Sequence, residues 1–87
     1  MIALDPRGEM LSSEEFATWL GNRATRGESR LVFVIGGPNG LSPSVTSKAE
    51  LVLSLGPMTF PHQFVPLLLL EQIYRAFKIL AGEPYHR

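Results

Sequence analysis

Two glycine loops, two histidines and an aromatic-basic tail hold the residues of this chain best suited to chemistry. Gly36-Gly-Pro-Asn-Gly40 directly follows the apolar run Leu31-Val-Phe-Val-Ile35, and Gly56-Pro-Met-Thr-Phe-Pro61 follows Leu51-Val-Leu-Ser-Leu55. Glycine- or proline-rich loops after short buried-type strands are how an α/β protein builds a ligand crevice at the carboxyl ends of its strands. The first loop is not a phosphate loop. The G-x-G-x-x-G spacing is absent, no acidic residue stands about twenty positions on, and the Gly-Lys-Ser/Thr ending is missing. A tight turn is the commoner use of such a sequence; as a ligand loop, its glycines would let a bound group approach the main chain. The second loop is stiffened by two prolines and carries Met58 and Phe60. These side chains either plug the core or frame a flat heterocycle such as adenine, with backbone groups supplying the polar contacts.

His62 and His86 are the only histidines, and there are no cysteines. Isolated histidines without spaced carboxylate or thiolate partners do not make a metal site, so no metal is expected. No disulfide or thiolate nucleophile is available, which fits a reducing compartment. His62, beside a helix start, can simply cap or pack. The tail Glu83-Pro-Tyr-His-Arg87 puts an aromatic ring, an imidazole and a guanidinium in a row. Chain ends usually fray, and the alternative is a clamp on an anionic or aromatic partner.

The elements that must position these groups follow from local signals. Ile2-Ala-Leu4 reads as a short strand closed by the turn cluster Asp5-Pro-Arg-Gly8. Ser12 with Glu15 forms a capping box at the start of a helix, Phe16, Trp19 and Leu20 share one face, and Gly27 stops it. Leu31 to Ile35 is apolar throughout and is expected inside a parallel sheet with both faces covered. Ser42-Pro43 opens a short helix reaching about Glu50, Leu51 to Leu55 is the third strand, and the last helix runs from Gln63 to Leu80 with Gly82 just past its end. Pro66 is tolerable only in a first turn. The order β-α-β-α-β-α predicts an α/β fold with a small parallel sheet.

The last helix is apolar on more than one side. Leu67-Leu-Leu-Leu70 cannot all face one core. Deep burial in a monomer is the plainer reading, and a homodimer through this helix is the expectation preferred for so small a domain, with Leu68 as a position to test it. The 87 residues make one small domain, and 45% hydrophobic content is too high for disorder. Met1-Ile-Ala-Leu4 runs straight into Asp5, and the apolar stretch Pro66 to Leu70 is too short for a bilayer, so a soluble cytoplasmic protein with no membrane partner is expected. Eight basic and eight acidic residues cancel. That balance counts against autonomous capture of RNA, whose binding proteins draw affinity from phosphate neutralisation.

Four stretches in order resemble one family: Val34-Ile-Gly-Gly-Pro-Asn-Gly-Leu41, Met58-Thr-Phe-Pro-His62, Glu71-Gln-Ile-Tyr-Arg-Ala-Phe77 and Pro84-Tyr-His-Arg87. Together they are similar to the SPOUT-class, or knotted, methyltransferases, and among these to the ones that methylate a pseudouridine. The resemblance spans essentially the whole chain. It implies a minimal SPOUT fold over residues 1–87, a sheet of about three parallel strands flanked by helices with a C-terminal trefoil knot. It implies a homodimer and S-adenosyl-L-methionine held bent in the knot. The family's cofactor contacts fall on Leu4, Gly36, Leu55, Gly56, Pro57, Met58, Thr59 and Phe60. The implied substrate is N3 of a pseudouridine in large-subunit ribosomal RNA, within the ribosome. Family members are longer, and the N-terminal strands they carry before Ile2 are missing here, which should expose a sheet edge. Pro66 stands where the family usually has a basic residue.

An imide nitrogen must lose its proton to accept a methyl group, so a base or an anion-stabilising cation is needed nearby. His86 and Arg87 are the catalytic candidates, with Tyr85 stacking the target base and His62 a weaker candidate. Two readings from other classes stand beside this one. The first is a non-catalytic knotted scaffold that dimerises with weak or no cofactor binding. The second is a protein-interaction module using the leucine-rich helix, which leaves both loops unexplained.

Overall fold

The computed structural model describes residues 1–28, 30–36, 40–56 and 64–83. The elements follow the order β1 (Ile2–Met10), α1 (Ser13–Thr25), β2 (Phe33–Ile35), α2 (Pro43–Thr46), β3 (Leu51–Ser54) and α3 (Val65–Leu80). The chain divides into two compact units: Met1–Met10 with Leu31–Val65, and Leu11–Arg30 with Pro66–Arg87.

The first unit is a three-stranded parallel sheet in the order β2-β1-β3. The central strand is β1, whose Ile2, Ala3 and Leu4 are buried. The apolar run ending at Ile35 is therefore not interior. It forms an edge of the described sheet, and Phe33, Val34 and Ile35 are only half-buried. Apolar patterning reports burial of side chains and does not report which strand is flanked on both sides.

β1 also runs further than its turn signal predicts. Leu4 and Glu9 both pair with Leu53, so Asp5, Pro6, Arg7 and Gly8 bulge out of the ladder before pairing resumes. Pro6 has no N–H to give to a neighbouring strand, which makes the interruption natural at this point. Gly8 closes the excursion against β3. A Cβ at Gly8 would sit 2.5 Å from the Val52 carbonyl oxygen and 2.7 Å from its carbon. Those atoms belong to the sheet backbone and cannot swing aside. Gly8→Ala should therefore cost about 1–3 kcal/mol, as overpacking against rigid neighbours does. A denaturant melt showing a lower midpoint at unchanged slope is the expected result.

The second unit pairs α1 with α3. Ser12 caps α1: its Oγ accepts from the Glu15 N–H at 3.0 Å, and its own N–H donates to Glu15 Oε1 at 2.7 Å. The capping box read from sequence is thus formed. Both helices end in the same cap, with Gly27 and Gly82 at φ +82° and +75°. Glu28 N–H donates to the Arg23 carbonyl and Glu83 N–H to the Lys78 carbonyl, the long-reaching bond of a Schellman motif. The helices run in the same direction, since Ser13 Oγ donates to Gln72 Oε1 at 2.6 Å while Gly21 lies against Leu80. Phe16, Ala17 and Leu20 are buried on α1, whereas Trp19 is only half-buried. Arg23, in the last turn of α1, is buried and donates from Nη1 to the Glu28 carbonyl at 2.9 Å.

α2 is a single turn, shorter than the run to Glu50 suggested by its opening Ser-Pro pair. Pro66 lies in the first turn of α3, where no helical N–H is lost. The start predicted at Gln63 lies outside the described residues. Among the described residues, no helix is long and apolar enough to cross a membrane.

Candidate functional site at the carboxyl ends of the strands

The register of the sheet lines up one row across all three strands: Ile35 of β2, Leu4 of β1 and Leu53 of β3. Gly36 is the next residue after that row on β2, and Ser54, Leu55 and Gly56 follow it on β3. Four of the positions singled out in the sequence, Leu4, Gly36, Leu55 and Gly56, therefore gather at one end of one sheet. That end is where the open edge of a parallel α/β sheet offers main-chain groups to a ligand.

The two glycines serve different purposes. Gly56 has φ +124°, a conformation open to glycine, and among the described residues no atom beyond its chain neighbours lies within 4 Å of where its Cβ would be. Its carbonyl accepts from the Ser54 Oγ at 3.2 Å. The preceding turn is closed by Ser54, whose buried Oγ accepts from the Gly56 N–H at 3.0 Å. Gly36 is instead crowded by its own loop. A Cβ there would meet the Gly40 carbonyl carbon and Leu41 Cγ at 2.9 Å and the Leu41 nitrogen at 3.1 Å. A side chain at Gly36 would thus disturb the loop's return before it could obstruct any ligand.

That return is tied to β1 by a residue the sequence reading placed in a mere turn. Asp5 is buried at 3% exposure. Its Oδ2 accepts from the Leu41 N–H at 3.0 Å and from Arg7 Nη2 at 3.0 Å; its Oδ1 accepts from the Arg7 N–H at 2.9 Å and Arg7 Nε at 3.0 Å. Arg7 Nη2 also donates to the Leu41 carbonyl at 3.2 Å. The Arg7 side-chain bonds hold the Asp5 carboxyl far below the usual carboxylate range, the backbone bonds from Arg7 and Leu41 add to this, and burial only partly opposes them. The folded value lies below the unfolded one. Whatever stability the joint contributes is therefore complete above the ordinary carboxylate pKa of about 4 and fades as pH falls below it.

A cavity of about 590 Å³ lies in the same unit, between the β1 excursion, α2 and the start of β3. Asp5, Arg7, Glu9, Thr46 and Glu50 are among its lining residues, and of the described cofactor positions Leu4, Gly36, Leu55 and Gly56 none is. Among the described residues, no cluster of three His, Asp or Glu side chains is placed to hold a metal ion. Pro57, Met58, Thr59, Phe60 and His62, and the tail residues Tyr85, His86 and Arg87, lie outside the described residues. The one signal that could have found Asp5 is its place in Asp-Pro, where a short acidic side chain commonly bonds nearby backbone.

The family model described as "Predicted SPOUT methyltransferase" matches residues 1–86. The chain is 59% identical over all 87 of its residues to a Symbiobacterium thermophilum protein named ribosomal RNA large subunit methyltransferase H, covering 54% of that protein. It is 56% identical to the protein of that name from Carboxydothermus hydrogenoformans, covering 55% of it, and 53% identical to that from Allorhizobium ampelinum, covering 54%. The chain thus spans about half the length of the curated relatives it matches.

Proposed function

We propose, from the premise that this chain belongs to the SPOUT methyltransferase family, that it carries the cofactor-binding and catalytic part of an S-adenosylmethionine-dependent methyltransferase acting on N3 of a pseudouridine in large-subunit ribosomal RNA. The relatives' names supply the ribosomal RNA substrate. The observation that carries the reading on this chain is the shared row of Leu4, Ile35 and Leu53, which brings Gly36, Leu55 and Gly56 to one sheet end.

These residues fit such a cofactor. Gly56 has no side chain to obstruct a ligand, and Gly36 follows the same row on β2. Backbone groups at Leu4, Gly36, Leu55 and Gly56, with Pro57 to Phe60, would hold the adenosine portion, and the segment after β3 would thread the trefoil knot. When bound, S-adenosylmethionine supplies a methyl group already activated on a sulfonium, so the protein's task is alignment and proton handling. Tyr85 would stack the target base, while His86 and Arg87 would take the N3 proton or stabilise the anion it leaves.

We further propose a homodimer through α3. Leu67, Leu70, Tyr74 and Phe77 are 65%, 63%, 55% and 53% exposed, and their spacing puts them on one side of the helix. The buried positions Leu69 and Ala76 lie on another side. An outward apolar stripe of this length is unusual on a small monomer.

Calorimetric titration with S-adenosylmethionine tests the cofactor reading. Saturable binding with a dissociation constant in the micromolar range is expected. No heat at millimolar ligand would remove the enzyme reading and leave a folded scaffold in its place.

A further inference from the structure

We propose that Asp5 is a positioning residue for the return of the chain after β2: by holding the Leu41 N–H, it keeps Gly40 and Leu41 packed against Gly36, a position proposed to meet the cofactor, with Arg7 clamping the joint from outside. The inference rests on the cofactor reading above and adds to it a residue outside the expected contact set.

Asp5, the residue after Leu4, reaches the chain where the loop returns. Leu4 stands in the row at the sheet end, and the next residue sends its carboxylate across to Leu41. Gly40, at φ +79°, leaves room for that carboxylate: a Cβ there would meet Asp5 Oδ2 at 2.9 Å and Arg7 Nη2 at 3.1 Å. The contact then passes inward, because the Leu41 nitrogen held by Asp5 is the same atom that crowds Gly36. Asp5, Leu41 and Gly36 form a continuous packed line from β1 to the first residue of the loop.

The chemistry of the carboxylate is specific to this job. An ionised Asp5 is acceptor-only and meets four N–H donors at once, two on each oxygen. An asparagine of the same shape would offer one acceptor oxygen, and its amide nitrogen would face donors. Arg7 is 71% exposed on its side chain, yet its fork spans Asp5 and the Leu41 carbonyl together. It braces the joint without being buried in it. The bulge that carries both residues is a local departure from a regular strand, of the sort that re-aims side chains beside functional sites.

The test compares wild type, Asp5→Asn and Arg7→Gln by amide hydrogen exchange without ligand and by calorimetry with S-adenosylmethionine. Asp5→Asn should speed exchange at Leu41 at least tenfold while Ala3, Leu4 and Leu53 keep their protection. It should weaken S-adenosylmethionine binding about tenfold or more. Arg7→Gln should shift both readouts in the same direction by a smaller factor, and should add little when combined with Asp5→Asn. Wild-type exchange at Leu41 in Asp5→Asn, or faster exchange there with unchanged affinity, would overturn the inference. So would a uniform rise in exchange across the sheet, which is loss of stability and not loss of position. If Asp5→Asn does not fold, Arg7→Gln decides by the same two readouts, since an exposed guanidinium is dispensable to the core. Absence of binding by wild type would defeat the cofactor reading instead, and the exchange data would still show whether Asp5 holds the loop.

Discussion

Leu70→Glu is expected to turn a dimer into a monomer without disturbing the fold of either chain. Leu70 is 63% exposed on the single chain, so a carboxylate there is fully hydrated in the monomer and costs nothing. Glutamate is nearly as good a helix former as leucine, so α3 stays intact. In a dimer built on the stripe of Leu67, Leu70, Tyr74 and Phe77, the same carboxylate would be buried without a partner. Such burial costs several kcal/mol, and about 3 kcal/mol already weakens association more than a hundredfold. Light scattering of wild type should give twice the 9.6 kDa chain mass at micromolar concentration, and Leu70→Glu should give the chain mass. Far-ultraviolet circular dichroism should be superimposable. A monomeric wild type, or a dimeric variant, would show that α3 is not the interface.

The choice of Leu70 over Leu68 shows what periodicity alone can resolve. The sequence makes plain that Leu67-Leu-Leu-Leu70 cannot face a single core. It does not say which leucine belongs to which side. Leu69 is buried, Leu68 half-buried, and Leu67 and Leu70 point outward. Settling this requires knowing where α1 lies, and that is fixed by long-range contacts such as Ser13 with Gln72. Signals confined to a few residues were legible in full. The Ser12–Glu15 capping box and the glycine stops at Gly27 and Gly82 depend only on neighbours along the chain.

The end of the sheet was legible in the sequence, and its joints were not. Glycine loops after apolar runs marked the end of the sheet at which Leu4, Gly36, Leu55 and Gly56 gather. What they could not show is strand order, because Ile2–Met10 becomes central only when β2 and β3 pair on its two sides. Asp5 was invisible for a related reason. In sequence it is a turn former between a strand and a proline. Its partner Leu41 is 36 residues away, and only the parallel pairing of β1 with β2 brings them together.

Removing Tyr85, His86 and Arg87 is expected to abolish methyl transfer while leaving the fold at its original stability. The helix before the tail closes itself. Gly82 and Glu83 bond back to the Ile79 and Lys78 carbonyls at 3.0 Å each, and Lys78 Nζ pairs with Glu83 Oε1 at 2.9 Å. Among the described residues, the hydrogen bonds of that cap lie before the deleted ones, so the melting midpoint should move little. On the proposed assignment activity should not survive, because His86 and Arg87 would handle the imide proton and the charge it leaves, and positioned acid–base groups commonly supply about 10²–10⁴-fold in rate. The substrate to use is the ribosome. With eight basic and eight acidic residues, the chain has no charge excess with which to capture naked RNA, so surfaces of the assembled particle must orient the target. Transfer of radiolabelled methyl to pseudouridine in ribosomes lacking that methylation should be seen with the intact chain and vanish with the shortened one. Equal transfer by both would free the tail from any part in the chemistry. Cofactor binding by the intact chain with no transfer would place the missing contribution in the part of the relatives' length that this chain does not span.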